Sequence, residues 1–353
     1  MRKFPIYFVV DVSESMAGAP LANLETGIRN VVADLMTDPY ALETAWVGVI
    51  GFAGRPRTLS PLTELMDFMP PHLPIGGGTG LGAALVHLMD EIDKSVVPTE
   101  KDRKGDWKPL VFLLTDGAAT DNPSTAIARW KREYAHKVGL VAISIGGGAD
   151  ENMLRELTDD VMIFDDTEVG SFKHFVSWIT NSVKSSTHSV TSGGDITLAK
   201  PSINLNKTAS EMPFAGVDER YAVFTGKCQA TKAPYVLKYE RELEGLGLSD
   251  SKLDTMFGAS IYRLTAAVPV QQDYFELSDG SVKNEATVNS QMLRGHAPCP
   301  HCQAKFSLAM CACGQVHCIP GDGPATCPWC GKDGFYQGDT GSTGGFDIGR
   351  GQG

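Results

Sequence analysis

The chain has 353 residues, 42% of them apolar and 21% charged, which is material for two or three folded domains and excludes general disorder. Forty-two acidic against 31 basic residues leave a net charge of -11; with no basic stripe in view, a phosphate-tracking surface and hence a nucleic-acid partner are excluded. Membrane insertion is excluded as well, because no apolar run approaches the roughly 20 residues of a spanning helix.

At the N-terminus, Met1-Arg2-Lys3 and the apolar run Phe4 to Val10 imitate a signal peptide. Asp11 cuts the run and no small-residue cleavage site follows, so a soluble, cytoplasmic protein is expected. From Pro5 to about Ser186, short apolar runs alternate with helical patterns, the signature of a doubly wound, mostly parallel sheet. Strands are expected at Ile6 to Val10, Ala45 to Phe52, Leu110 to Leu114, Leu140 to Ile145 and Val161 to Phe164, with an edge strand at Arg57 to Leu62 between two prolines. Helices are expected at Leu21 to Leu35, Leu81 to Ile92, Ser124 to Tyr134, Glu151 to Leu157 and Phe172 to Val183.

Three stretches of this first domain stand at or near strand ends, where open α/β sheets place their ligands. Asp11-Val12-Ser13-Glu14-Ser15 follows the first strand, and alternate positions of an extended turn bring Asp11, Ser13 and Ser15 to one side. Gly76-Gly77-Gly78-Thr79-Gly80 allows close backbone approach and carries the Thr79 hydroxyl. Thr115-Asp116-Gly117 closes the Leu110 to Leu114 strand. Hydroxyls and carboxylates together suit a hard cation such as Mg2+. A phosphate loop is excluded at Gly76 to Gly82, because the Lys-Ser/Thr of that motif is missing.

Past Ser186 the texture changes to a Ser- and Gly-rich linker, which sets a boundary there. Residues 187–295 are read as this linker and a β-rich middle domain, with strands at Ile203 to Leu205, Tyr221 to Thr225, Tyr235 to Tyr239 and Ile261 to Val268. Residues 296–336 hold seven of the eight cysteines and read as a separate zinc-ribbon-like module; Gly-rich residues 337–353 read as a disordered tail. Cys299-Pro-His-Cys302 and Cys327-Pro-Trp-Cys330 are paired knuckles, expected together to hold one structural Zn2+. Cys311, Cys313 and Cys318, with His317 or His301 as a fourth member, are left for a second Zn2+. Cys228 reads as a small buried apolar residue, and His72, His87 and His174 as structural.

The set Asp11, Ser13, Ser15, Thr79 and Asp116 resembles the metal-ion-dependent adhesion site of von Willebrand factor A domains. That resemblance implies that Ser13, Ser15 and Thr79 coordinate directly, that Asp11 and Asp116 act closely or through water, and that an acidic partner side chain takes the vacant position. With Phe224-Thr-Gly-Lys-Cys228, Ala233-Pro-Tyr235 and the closing Cys-Pro-Trp-Cys-Gly, residues 1–336 resemble TerY-type proteins of bacterial tellurium-resistance systems. This implies a non-enzymatic scaffold in a stress or defence response, acting with a protein kinase and a PP2C-type phosphatase. The competing expectation is a hydrolytic metalloenzyme whose Mg2+ or zinc activates water; no nucleophile-base motif or zinc-protease helix accompanies it.

Overall fold

In the computed structural model, the first strand, β1 (Phe4–Asp11), is buried along its whole length, as a central parallel strand must be when helices cover both faces. Described in the structure are residues 2–146, 149–164, 171–199, 220–244, 259–279, 286–337 and 345–351. They fall into two compact units, within Met1–Gly216 and Val217–Gly353.

In the first unit, β1 lies between β2 (Ala45–Phe52) and β4 (Leu110–Thr115), and the sheet continues through β5 (Gly139–Ile145) and β6 (Val161–Phe164). All of these pair in parallel. The edge strand β3 (Pro56–Glu64), which contains Pro56 and Pro61, closes the margin antiparallel to β2, where a missing N–H costs no ladder bond. Strand order therefore reverses between β1 and β4, and a crevice opens at their carboxyl ends.

Helices α1 (Ala19–Leu35), α2 (Pro39–Thr44), α3 (Leu81–Ser95), α4 (Ser124–Glu133), α5 (Glu151–Arg155) and α6 (Ser171–Thr191) accompany this sheet. Helix α3 buries Leu81, Ala84, Leu85, Leu88, Met89 and Ile92, a helical-period stripe, in one core with Tyr7, Val9, Ile50 and Phe52. Each large apolar side chain so buried contributes roughly 1.5–3 kcal/mol. From the opposite face of β1, Phe8 stacks on Phe112, which meets the edge of Trp178 on α6. Helix α6 buries Phe175, Val176, Ile179 and Val183 as expected, and runs on to Thr191, beyond the boundary expected at Ser186. No helix among the described residues is long and apolar enough to cross a membrane.

In the second unit, the middle region and the cysteine module are one body. Its main sheet runs β11 (Leu293–Arg294), β9 (Ala259–Pro269), β8 (Pro234–Glu244), β7 (Tyr221–Lys227), β13 (Val316–Ile319), β12 (Phe306–Met310). Strands from both sides of the expected boundary at 295 thus share hydrogen bonds, because β13 lies parallel to β7 through Val316↔Gly226 and His317↔Lys227. Gly226 explains the Phe224 to Cys228 and Ala233 to Tyr235 segments: a Cβ there would stand 2.3 Å from the Tyr235 ring. The Tyr235 hydroxyl donates to the Ser307 carbonyl, joining the two halves again. A short helix, α7 (Asp273–Leu277), follows β9, and β14 (Gly323–Thr326) forms a hairpin with β15 (Asp333–Tyr336).

The expected disordered tail is corrected in part. β16 (Asp347–Gly349) pairs antiparallel with β10 (Thr287–Asn289), Ile348 is fully buried, and the Gly351 N–H donates to the Val223 carbonyl. Two apolar side chains, Phe346 and Ile348, and strand pairing order a segment whose composition alone reads as coil. The expected strand Ile203 to Leu205 lies outside the described residues.

Candidate metal centres

Asp11 is the last residue of β1 and Thr115 the last of β4, so both stand at the reversal point of the sheet. The Thr115 hydroxyl donates to Asp11 Oδ2 at 2.6 Å, and the Ser13 N–H to Asp11 Oδ1 at 2.9 Å. Ser13 and Ser15 Oγ atoms are 2.8 Å apart, and the Ser15 hydroxyl donates to Asp116 Oδ1 at 2.7 Å. The glycine-rich loop is drawn in by a parallel bridge between Ser13 and Gly76, with the Gly76 N–H donating to the Val12 carbonyl at 2.9 Å. Thr79, three residues on, is buried together with Asp11, Ser13, Ser15 and Asp116. Asp11, Ser13, Ser15 and Asp116, with Thr115, are therefore joined by hydrogen bonds in one buried cluster, and the Ser13–Gly76 bridge sets the loop of buried Thr79 beside it.

Such a space does not suit bare carboxylates. Burial first, and then the Asp116 carboxylate, push Asp11 from the usual acid range up to about 7. A hard divalent cation placed among these oxygens offsets both costs. The donor chemistry, hydroxyls with carboxylates and no nitrogen or sulfur, is that of Mg2+.

Two cysteine quartets stand in the second unit. Cys228, Cys299, Cys302 and Cys318 form one, and Cys311, Cys313, Cys327 and Cys330 the other; within each, all sulfurs lie within 4.8 Å of one another. Four sulfurs placed at about 2.3 Å around a tetrahedral Zn2+ stand about 3.8 Å apart. Observed separations are 3.7 Å for Cys302 to Cys318, 3.7 Å for Cys311 to Cys330 and 3.8 Å for Cys313 to Cys327. The first quartet is built into the apolar core with Phe224, Tyr235 and Leu237. In the second, Cys313 and Cys330 are exposed.

Comparison with known proteins agrees with both descriptions. Residues 6–178 match the von Willebrand factor type A domain model, and residues 218–353 match the model of the TerY-C metal binding domain. The chain has the TerY-type architecture. Human inter-alpha-trypsin inhibitor heavy chain H6 is 24% identical over 160 residues, which are 43% of this chain and 12% of that protein. Among solved structures, a von Willebrand factor type A protein from Catenulispora acidiphila is 18% identical with a TM-score of 0.41, over 53% of this chain and 43% of that one. Proximal thread matrix protein 1 from the mussel byssus, described with a zinc-occupied MIDAS motif, is 21% identical with a TM-score of 0.36, over 53% and 46%. The chain thus spans an eighth of the human protein and under half of either structure.

In this TerY-type chain Asp11, Ser13, Ser15 and Asp116 of the expected oxygen set share one hydrogen-bonded cluster, and Thr79 is buried in the loop bridged to Ser13 through Gly76. The cysteine groupings do not hold as expected. Cys299 and Cys302 are not joined by Cys327 and Cys330; the two knuckles belong to different quartets, and Cys318 crosses over to the first. The reason is the parallel pairing of β13 with β7, which carries Cys318 to Cys228 and away from its sequence neighbours Cys311 and Cys313. His317 is a structural residue here: its Nε2 is 2.8 Å from the Tyr336 hydroxyl and its Nδ1 3.1 Å from the Cys318 carbonyl. His301 Nε2 meets the Pro234 carbonyl at 2.8 Å.

Cys228, read as an apolar filler, is the functional residue that sequence reasoning missed. A signal for it exists. At Cys228, Cys299 and Cys327 alike, the N–H donates to the carbonyl five residues on and the carbonyl accepts from the N–H four residues on. Cys228-Gln-Ala-Thr231 is therefore a knuckle of the same build, with Thr231 in the second cysteine position and Cys318 as the replacement sulfur.

Proposed function

We propose that this protein is a metal-dependent interaction scaffold. Its oxygen site holds one divalent cation, Mg2+ by donor chemistry, and that cation receives a carboxylate from a partner. What supports this reading is the buried, hydrogen-bonded cluster of Asp11, Ser13, Ser15 and Asp116 at the β1/β4 reversal point, with the loop of buried Thr79 bridged to it through Ser13 and Gly76. Asp11, Ser13, Ser15, Thr79 and Asp116 would hold the ion, which when bound supplies a Lewis-acidic position for an anionic ligand. Thr115 keeps Asp11 oriented, and both side chains are buried from solvent.

The two quartets, Cys228, Cys299, Cys302, Cys318 and Cys311, Cys313, Cys327, Cys330, would each hold a structural Zn2+ and contribute folding free energy to the second unit. Among the described residues no His, Asp or Glu joins either quartet, so sulfur fills all four positions and leaves none for an activated water. This favours the scaffold over a hydrolase. Eight unpaired thiols suit a reducing, cytoplasmic setting. The family resemblance supplies the proposed setting, a bacterial tellurium-resistance, stress-response or defence system, and the proposed partners, a protein kinase and a PP2C-type phosphatase.

The test is co-purification from cells expressing the full system. Partner capture is expected with Mg2+ present and lost with EDTA, and Asp11→Ala and Asp116→Ala are expected to reduce it at least tenfold, the order seen when a metal's close partners are removed. Equal capture by wild type and both variants, in Mg2+ and in EDTA, contradicts the reading.

A further inference from the structure

Thr79, the hydroxyl assigned to the oxygen site, stands in a run of glycines, whose backbone has no preferred conformation of its own. Gly80 cannot be exchanged for a stiffer residue, since a Cβ would stand 2.7 Å from the Gly54 carbonyl oxygen and 3.0 Å from that of Ala53. Gly80 is also the N-cap of α3 and makes no side-chain cap. Something else must fix Thr79 and satisfy the first N–H groups of the helix.

Backbone bonds from the Gly80 N–H to the Ala53 carbonyl at 2.6 Å and from the Gly54 N–H to the Gly77 carbonyl at 2.8 Å hold the loop on one side, and two adjacent residues of the loop that begins at Asp116 hold it on the other. The Thr79 N–H donates to Thr120 Oγ1 at 2.8 Å, and the Thr120 N–H donates back to the Thr79 carbonyl at 2.8 Å. Asp121 accepts from the Gly82 N–H at 3.1 Å through one carboxylate oxygen and from the Ala83 N–H at 3.0 Å through the other. Thr79 is thus gripped on both sides of its peptide, and the helix behind it is capped from outside.

We propose that Thr120 and Asp121 are positioning residues of the oxygen site: they latch the Thr79 loop to the Asp116 loop, so that these two donors are set at a fixed spacing before the cation arrives. The proposal deepens, and rests on, the reading of the five oxygens as a cation site. Thr120 acts through the Thr79 backbone, and Asp121 through the first N–H groups of the helix that follows it. Partners of this kind typically carry 10- to 100-fold in metal affinity.

Isothermal titration of the full chain with MgCl2 tests this. Thr120→Val keeps the shape and removes the acceptor of the Thr79 N–H; it is expected to weaken Mg2+ binding roughly 10- to 100-fold, with Thr120→Ser restoring affinity close to wild type. Melting in EDTA separates this from a structural role, which would lower the melting temperature of T120V while leaving the Mg2+ affinity of the folded protein in place. T120V binding Mg2+ as tightly as wild type overturns the proposal. Should T120V not fold, Thr120→Ala and Asp121→Asn are titrated in its place, against the same two outcomes. A wild-type chain that takes up no Mg2+ removes the cation reading itself, a failure visible before any variant is made.

Discussion

At Asp11 a carboxyl group is fully buried beside the Asp116 carboxylate, and its pKa is raised by burial and by that neighbour to about 7, against roughly 3.9 for a free aspartate. Between those values the folded chain binds a proton that the unfolded chain does not. Its contribution to stability is therefore complete below about pH 4 and is lost as pH rises through 7. A cation needs the ionised form, so it competes with the proton. Differential scanning fluorimetry is expected to show that the stabilisation by saturating Mg2+, relative to EDTA, grows from pH 5 to pH 8. The apparent Mg2+ affinity should weaken by up to about tenfold per pH unit below 7. A pH-independent Mg2+ increment would contradict the role given to Asp11. The candidate donors are legible as a spaced motif in the sequence, Asp11, Ser13, Ser15, Thr79 and Asp116. Thr115, Thr120 and Asp121 are not, since each acts through hydrogen bonds to residues distant in sequence.

Among the elements, those made by continuous burial were the easiest to read: β1, β2, β4, β5 and β6 are apolar runs, and the structure extends most of them by a residue or two at the ends. Helix α2 was missed although its start is written in the sequence, with Asp38 accepting from the Ala41 N–H and Pro39 opening the helix. Its six residues are too few for a periodic stripe. The knuckles were legible as metal ligands, yet their partners depend on which strand lies beside which. With β13 along β7, Cys228 becomes a ligand of the core quartet. Cys228→Ala is expected to lower the zinc content of the purified chain from two equivalents to one, measured by plasma mass spectrometry, and to lower the melting temperature of the second unit. Two equivalents retained in that variant would restore Cys228 to the apolar role.

For the whole molecule, the sequence pointed to an α/β domain followed by a β-rich region and a cysteine module, and the structure merges the last two into one unit. Composition marks a boundary where polarity changes, as at the Ser- and Gly-rich stretch after α6. It cannot see strands from both sides of position 295 pairing in one sheet, or β16 completing a small ladder with β10. A buried cluster of oxygen donors in the first unit and two cysteine quartets in the second differ in chemistry and so suit different ions. The most direct test is anomalous diffraction from crystals grown with Mn2+ as a stand-in for Mg2+. A manganese peak is expected at about 2.0–2.3 Å from the hydroxyl oxygens of Ser13, Ser15 and Thr79, with no manganese in either cysteine quartet. A crystal containing ordered Mn2+ elsewhere but none among Asp11, Ser13, Ser15, Thr79 and Asp116 would contradict this expectation.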